Sequence, residues 1–288
     1  MTLPMVLNIV VNALVLASMY ILASLGFAFI FNMLGTINLA HGAFYMAAAY
    51  ITYYLCDKAG LNNWLAMLLA AVIMAAVGIL MERVCFRPFQ KSFDRVVMVS
   101  VALMTMLQQA ATLISGSQTI SIPTYAAGVT DLGFMSISNE KIVTFAVGVV
   151  LLVAALFMVY RTKLGMQMEA LSQDRVGAAL QGIAVNKVSM LVCGIGFALA
   201  AVAGSMMGAY QQVSAYMGDN INVRILMLVM LAGAGSMNGI IITSVLMALL
   251  DSICPVLMES YAASATACSI IVVLLLIRPK GFFGHEMA

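Results

Sequence analysis

Residues Gly35 to Tyr50 read GTINLAHGAFYMAAAY. Asn38 and His41 stand inside an otherwise apolar stretch, bracketed by Gly35 and Gly42 and followed by a run of alanines. The cost of placing such groups there depends on the solvent, and the rest of the chain decides what that solvent is.

Of 288 residues, 64% are hydrophobic and 8% are charged. A soluble domain carries about 25% charged residues, and a folded chain of this size leaves much of its surface exposed. The charges cluster, and the apolar runs between clusters are long enough to cross ~30 Å of hydrocarbon as helices. The pattern is that of an all-α, polytopic integral membrane protein. A membrane β-barrel would instead alternate polar and apolar residues in segments of about ten. The first run, Met5 to Phe31, lacks a basic leader and exceeds the h-region of a signal peptide, so it reads as a retained helix. The cysteines Cys56, Cys85, Cys193, Cys254 and Cys268 form no CxxC pair and read as small apolar residues. The 25 methionines read as lipid-facing or gap-filling side chains. The net charge of +2 carries no message about nucleic acid, and none is expected as a partner.

Hydropathy gives spans at 5–31, 37–56, 64–82, 96–114, 142–160, 188–212, 223–237, 239–256 and 261–277. Cytoplasmic loops carry the excess of Lys and Arg. Loop 83–95 holds Arg83, Arg87, Lys91 and Arg95; loop 161–187 holds Arg161, Lys163, Arg175 and Lys187; the tail holds Arg278 and Lys280. These face the cytoplasm, and segments 57–63, 115–141 and 214–222 face outside. The crossings after Asn222 must then be odd in number, which gives nine spans with the N-terminus outside. Reading 223–250 as one span gives eight. Span 223–237 would cover only about 22 Å and must be a partial helix sheltered by protein. Gly196, Ala200, Gly204 and Gly208 recur every fourth residue, a tight helix–helix seam within the chain or with a partner.

Asn38 and His41 are expected on one helix face, with Tyr45 a turn further on. An unpaired polar group in hydrocarbon costs several kcal/mol, about the cost of a lost hydrogen bond or more. These side chains therefore face protein, water or a ligand. A second break, GAGSMNG from Gly233 to Gly239, places Asn238 among glycines in the other half of the chain. Paired glycine-interrupted segments point to a transport pathway. Two readings stand. Each polar residue is structural glue between helices, or the two breaks border a translocation path through Asn38, His41, Gly42, Tyr45, Gly233, Gly235 and Asn238. A metal site is not expected, since the other histidine is His285 in the tail. Gly177 to Gly182 has P-loop glycine spacing but continues with Ile183 and Ala184, so no cofactor is expected in this chain.

Loop 161–187 reads RTKLGMQMEALSQDRVGAALQGIAVNK. Met168, Leu171 and Leu180 lie among charged and small residues, which predicts a short helix, a turn and a second short helix. Glu169, Asp174 and Arg175 are candidate exposed contacts, and the small residues suit a surface on which a partner closes.

The blocks GTINLAHGAFYMAAAY, ERVCFRPF, AALQGIAVNKV, LAGAGSMNGIIITSVL and LLLIRPKGFFG resemble the LivH family, permeases of branched-chain amino acid ABC importers. They occur in the same order over nearly the whole chain. The resemblance implies an ABC importer permease fold, one permease domain over 1–288 in the bacterial inner membrane, and no catalysis by this chain. It implies a second, LivM-type permease subunit, two cytoplasmic ATPases that bind the ATP, an extracytoplasmic amino-acid-binding protein and surrounding lipid. It makes loop 161–187 the ATPase coupling region, with Glu169, Ala170, Asp174, Arg175, Gly177 and Gly182 as its candidates. Leu171 stands where the general coupling motif of such permeases has an alanine.

The mechanism expected is alternating access along an apolar path nearly free of ionisable groups, with selectivity in the binding protein. The chief rival is a secondary transporter, for which Asp251 and Glu259 are the candidate coupling groups. A permease for urea or short-chain amides is a further alternative. A channel or scaffold is weaker, and no nucleophile–base constellation supports an intramembrane enzyme.

Overall fold

The longest apolar run forms the longest helix, α1 (Leu3–Leu34), and from Val15 to Ile30 every residue of it is buried. A helix that is hydrophobic all round belongs in the middle of a bundle. α1 packs against α5 (Asn139–Arg161), α8 (Val185–Tyr210), α9 (Met217–Ala232) and α10 (Met237–Leu257), and meets α2 (His41–Asp57) at the His41 ring. α3 (Asn63–Met81) lies along α8, and α4 (Phe93–Ser115) and α11 (Ser260–Ile277) flank α2 and α10. Two short helices, α6 (Lys163–Gln173) and α7 (Arg175–Leu180), link α5 to α8. The computed structural model describes residues 3–90, 92–116, 118–131, 136–233, 235–278 and 281–283. Lys91, Lys280 and His285, used in the charge and metal arguments, lie outside the described residues, as does Ala234 of the second break.

Every expected span holds a helix. Among the described residues six helices are long and apolar enough to cross a membrane: α1, α3 with its extension, α4, α5, α8 and α10. The nine-span count also needs α2 (17 residues), α9 (16 residues) and the apolar stretch Ala262–Ile277 of α11. α9 starts at Met217 rather than Val223. Its polar first turns are helical because Gly218 packs against Gly42 and Asp219 accepts a bond from Gln108 Nε2 (2.7 Å). Loop 83–95 is also more helical than expected. α3 continues through a π turn (Glu82–Phe86) and a 3₁₀ turn (Arg87–Phe89), carried by the pair between Glu82 and Arg87.

The two ends of the bundle sort as the charges require. At one end Asn63 Nδ2 donates to the carbonyls of Pro123 (2.7 Å) and Thr124 (2.9 Å), and Ile120 pairs with Val213. A small hairpin, β1 (Val129–Asp131) with β2 (Ser136–Ser138), sits on that side before α5. Lys141 Nζ, in the first turn of α5, donates to Asn12 near the start of α1 (2.7 Å). At the other end Arg87 Nη2 donates to the Asn186 carbonyl (3.3 Å), and Arg175 Nη2 donates to Gln90 Oε1 (3.3 Å). The predicted outer segments thus join one another, and so do the predicted cytoplasmic loops.

The small-residue seam of α8 lies within the chain. A methyl at Gly196 would meet the Gly26 carbonyl (2.6 Å), one at Gly204 would meet the Tyr45 carbonyl, and one at Gly208 would meet Val213 (2.7 Å) and Ile122 (2.8 Å). Thr52 and Ser205 share a hydrogen bond across α2 and α8 (2.7 Å). Lipid gives helices no hydrophobic reason to meet, so this close backbone approach supplies the contact. Gly204→Val should therefore cost about 1–3 kcal/mol through overpacking, read as a lower thermal midpoint of the purified protein. Leu191→Ala, on the exposed side of the same helix, should change it little. An unchanged midpoint for Gly204→Val would contradict the seam.

Candidate functional site: an outer vestibule and a cytoplasmic cavity

The first break is real and differs from the expectation in one respect. Asn38 and His41 do not share a helix face. α1 ends at Leu34, Gly35 adopts φ +65°, and the chain stays non-helical until His41 opens α2. Gly35 provides the reversal because only a residue without Cβ enters that region freely. Asn38 Oδ1 accepts from its own neighbour, Ala40 N (3.1 Å), a local turn that competes with helix. His41 is fully buried; its Nε2 donates to the Ala23 carbonyl of α1 (3.1 Å), and its ring lies against Phe27 and Phe197. A methyl at Gly42 would run into the Gly218 carbonyl of α9. Half of the hydrogen-bonding capacity of the pair remains unspent: Asn38 Nδ2 and His41 Nδ1 have no partner among the described residues.

Tyr45, one turn on, lines a cavity of about 290 Å³. Its wall combines Leu16 and Tyr20 of α1, Gln211, Gln212 and Ser214 after α8, residues of α9 and α10, and Ser264 of α11. The segment 211–214 adjoins the loop expected to face outside, and this cavity is called the outer vestibule on that expectation. Inside it Arg224 of α9 grips Asp251 of α10 with two bonds, Nε to Oδ2 (2.9 Å) and Nη2 to Oδ1 (3.3 Å). The Tyr20 hydroxyl donates to the same Asp251 Oδ2 (2.7 Å). Their side chains keep 20% and 8% of their exposure, Arg224 and Asp251 respectively. The path is therefore not nearly free of ionisable groups. Asp251 was visible in the sequence as a candidate. Arg224 was not singled out, because a lone arginine near the expected end of a span looks like an interfacial residue.

The second break lies elsewhere. Gly233 and Gly235 take φ +88° and +87°, and Ser236 Oγ caps α10 by accepting from Gly239 N (3.1 Å). Gly235 and Asn238 line a separate cavity of about 270 Å³, together with Asn32 of α1 and Gly165, Met168, Glu169 and Ser172 of α6. α6 belongs to the loop expected to face the cytoplasm, and this cavity is called the cytoplasmic cavity on that expectation. The structure does not bring the two breaks into one space. Gly35 and Gly235 both lie close to Asn32 at the end of α1, and it is the two cavities that are separated by packed protein, a plug. Along α1, Tyr20 and Asn32 are separated by about 18 Å of helix, and along α10 Asn238 and Asp251 are separated by about 20 Å.

Loop 161–187 forms the expected helix, turn and helix. Thr162 caps α6 and Asp174 caps α7, its Oδ1 accepting from Val176 N (2.9 Å). Met168 and Leu171 are buried, while Val176 and Leu180 are 70% and 83% exposed. Glu169, Asp174 and Gly182 are exposed, and Ala170, Arg175 and Gly177 are half-buried. Gly182 closes α7 at φ +85°.

Asn222 was missed. Its Nδ2 donates to the Leu39 carbonyl (2.9 Å), and its Oδ1 accepts from Gly42 N (3.4 Å), so it clamps the first break to α9. Asn222 closed the segment expected as an outer loop, beside Asp219 and Asn220, so nothing in the sequence set it apart. Asn222→Leu leaves the Leu39 carbonyl without this donor, at a cost of about 1–3 kcal/mol. A clear drop in the thermal midpoint of the purified protein is expected, and an unchanged midpoint would contradict the clamp.

Comparison with known proteins places this architecture. Residues 9–278 match the family described as branched-chain amino acid transport system, permease component. The chain is 26% identical to the high-affinity branched-chain amino acid transport system permease protein LivH of Escherichia coli (strain K12), over 95% of this chain and 94% of that protein. It is 28% identical to the corresponding permease protein BraD of Pseudomonas aeruginosa, over 96% and 94%. A probable LivH of Methanocaldococcus jannaschii is 22% identical over 96% and 91%. The chain belongs to the family of permease components of branched-chain amino acid transport systems.

Proposed function

We propose that the chain forms one half of the translocation path of an ATP-driven importer of branched-chain amino acids in the bacterial inner membrane. The observation that carries this reading is the pair of cavities on opposite faces of one plug, both walled by α1 and α10. A carrier that alternates its access needs two vestibules and a barrier that yields on one side at a time. Asn38, His41 and Gly42 set the inner end of α2 and so the position of Tyr45 on the outer vestibule. Gly233, Gly235 and Asn238 form the hinge at the cytoplasmic cavity. A second permease subunit of LivM type completes the path, an extracytoplasmic binding protein delivers the amino acid, and two ATPases bind and hydrolyse the ATP.

The α6–α7 segment is the surface those ATPases grip. Val176 and Leu180 present apolar side chains to the aqueous side, and α6 also walls the cytoplasmic cavity beside Gly235. A push on α6 thus reaches the α9–α10 hinge directly. Glu169, Asp174 and Arg175 provide the polar rim of the surface.

An ion-coupled transporter is the rival, and the buried Asp251 favours it. Proteoliposomes holding the permease pair, the ATPases and the binding protein separate the two. Uptake should require ATP and should not follow from an imposed proton or sodium gradient. Leu180→Asp should leave the permease folded and reduce both ATPase co-purification and uptake about tenfold, the consequence of losing ~1.4 kcal/mol of docking energy. Gradient-driven uptake without ATP, or wild-type coupling in Leu180→Asp, would contradict the proposal.

A further inference from the structure

Arg224 and Asp251 could be a structural clasp, but their setting argues otherwise. α9 and α10 are already joined by the short turn at Gly233–Ser236 and by the Thr243 hydroxyl donating to the Leu228 carbonyl (3.2 Å). A clasp belongs in packed protein, whereas this pair lies on the wall of the vestibule. Buried ion pairs also contribute little net stability, because desolvation offsets most of the attraction.

We propose that this pair is a recognition site for the zwitterionic head of an amino acid, which opens the pair and inserts between its two halves. The inference rests on the reading of the chain as an amino acid importer. The guanidinium fork of Arg224, now spent bidentately on a carboxylate, presents the geometry that an α-carboxylate requires. Asp251, with Tyr20 holding one oxygen, presents the acceptor that an α-ammonium requires. The exchange is balanced in charge. One ion pair is replaced by two, and neither buried group is left bare at any stage of occupancy. A singly charged molecule cannot do this. A 2-oxo acid would satisfy Arg224 and strand Asp251, and a primary amine would do the reverse. Stranding one partner of a buried pair is the costly outcome, because it leaves an uncompensated buried charge. The site therefore selects for both charges on one carbon.

The rest of the wall fits the same molecule. The cavity of about 290 Å³ lies just below the range of pockets that hold drug-sized ligands, about 300–1,000 Å³. Leu16, Met207, Met217 and Ile221 supply apolar surface for an aliphatic side chain, and Gln211 and Gln212 line the same wall. The closed pair is then the empty state of the site, and the vestibule takes an amino acid handed over from outside.

The test uses the complete complex in proteoliposomes with radiolabelled leucine as the probe. One variant replaces both charges with apolar groups of similar bulk, Arg224→Met with Asp251→Leu. A second, Ser264→Trp, fills the vestibule from α11 and leaves the pair intact. Each should lower ATP-driven uptake about tenfold or more, the fold-change for losing one charge-assisted contact. For Ser264→Trp the complex should be recovered in normal yield. Wild-type uptake by the double variant overturns the inference, since a site cannot work without its charges. If the double variant does not assemble, Ser264→Trp decides: reduced uptake supports the site and wild-type uptake overturns it. A wild-type complex that carries no amino acid with ATP overturns the functional reading and this inference together. A wild type that carries leucine while both variants match it overturns the inference alone.

Discussion

A backbone amide or carbonyl in hydrocarbon has no water to turn to, so each one must find a partner in the protein. This chain leaves the helix twice between apolar segments, and the partners it finds there organise the molecule. In the first break Leu39 N donates to Ser100 Oγ (3.1 Å), Ala40 N to Asn38 Oδ1, and the Leu39 carbonyl accepts from Asn222. Two helices, α4 and α9, are committed to satisfying one short non-helical segment. In the second, the returning chain does the work. Phe282 N and Phe283 N donate to the last carbonyls of α9, Leu231 (2.8 Å) and Ala232 (3.1 Å). Both breaks are thereby tied down against protein rather than left to lipid.

From these anchors the transport geometry follows. The first break starts α2 beside Ala23, well inside the length of α1, so α2 is short and Tyr45 falls on the outer vestibule. The second ends α9 and restarts α10 against α6, so the cytoplasmic cavity opens beside the loop that meets the aqueous side. Between them α1, α2 and α8 pack at glycine contacts too close to admit a methyl group. That seam is rigid because there is no slack in it. In the proposed alternating cycle the hinges are Gly35, Gly233 and Gly235, where the backbone already occupies the left-handed region. The vestibule adds a chemical element to the mechanical one. An Arg–Asp pair that a zwitterion can open gives the carrier a way to sense that cargo has arrived before the plug yields.

The sequence made the helical membrane class and the places of the helices legible, because hydropathy is a local property. The helix–turn–helix of loop 161–187 was equally readable from its small residues and caps. What it hid was everything that depends on which helices meet. Periodicity put Asn38 and His41 on one face, but Asn38 is in a non-helical segment whose neighbours Leu39 and Gly42 are held by Asn222, some 180 residues later in the chain. The seam along α8 was visible as Gly196, Ala200, Gly204 and Gly208, while its partners Gly26 and Tyr45 were not. Asp251 stood out as a candidate ionisable group, whereas Arg224 looked ordinary alone. Only their meeting across α9 and α10 makes a site.

The central claim is that the vestibule and the α6–α7 surface open to opposite sides of the membrane. Thiol accessibility tests it most directly. In a chain with Cys56, Cys85, Cys193, Cys254 and Cys268 replaced, Gln212→Cys and Leu180→Cys place single thiols at exposed positions on the two faces. A membrane-impermeant maleimide applied to intact cells should label Gln212→Cys, and should reach Leu180→Cys only after the membrane is opened. Labelling of both from the same side, or of Leu180→Cys alone in intact cells, would contradict it.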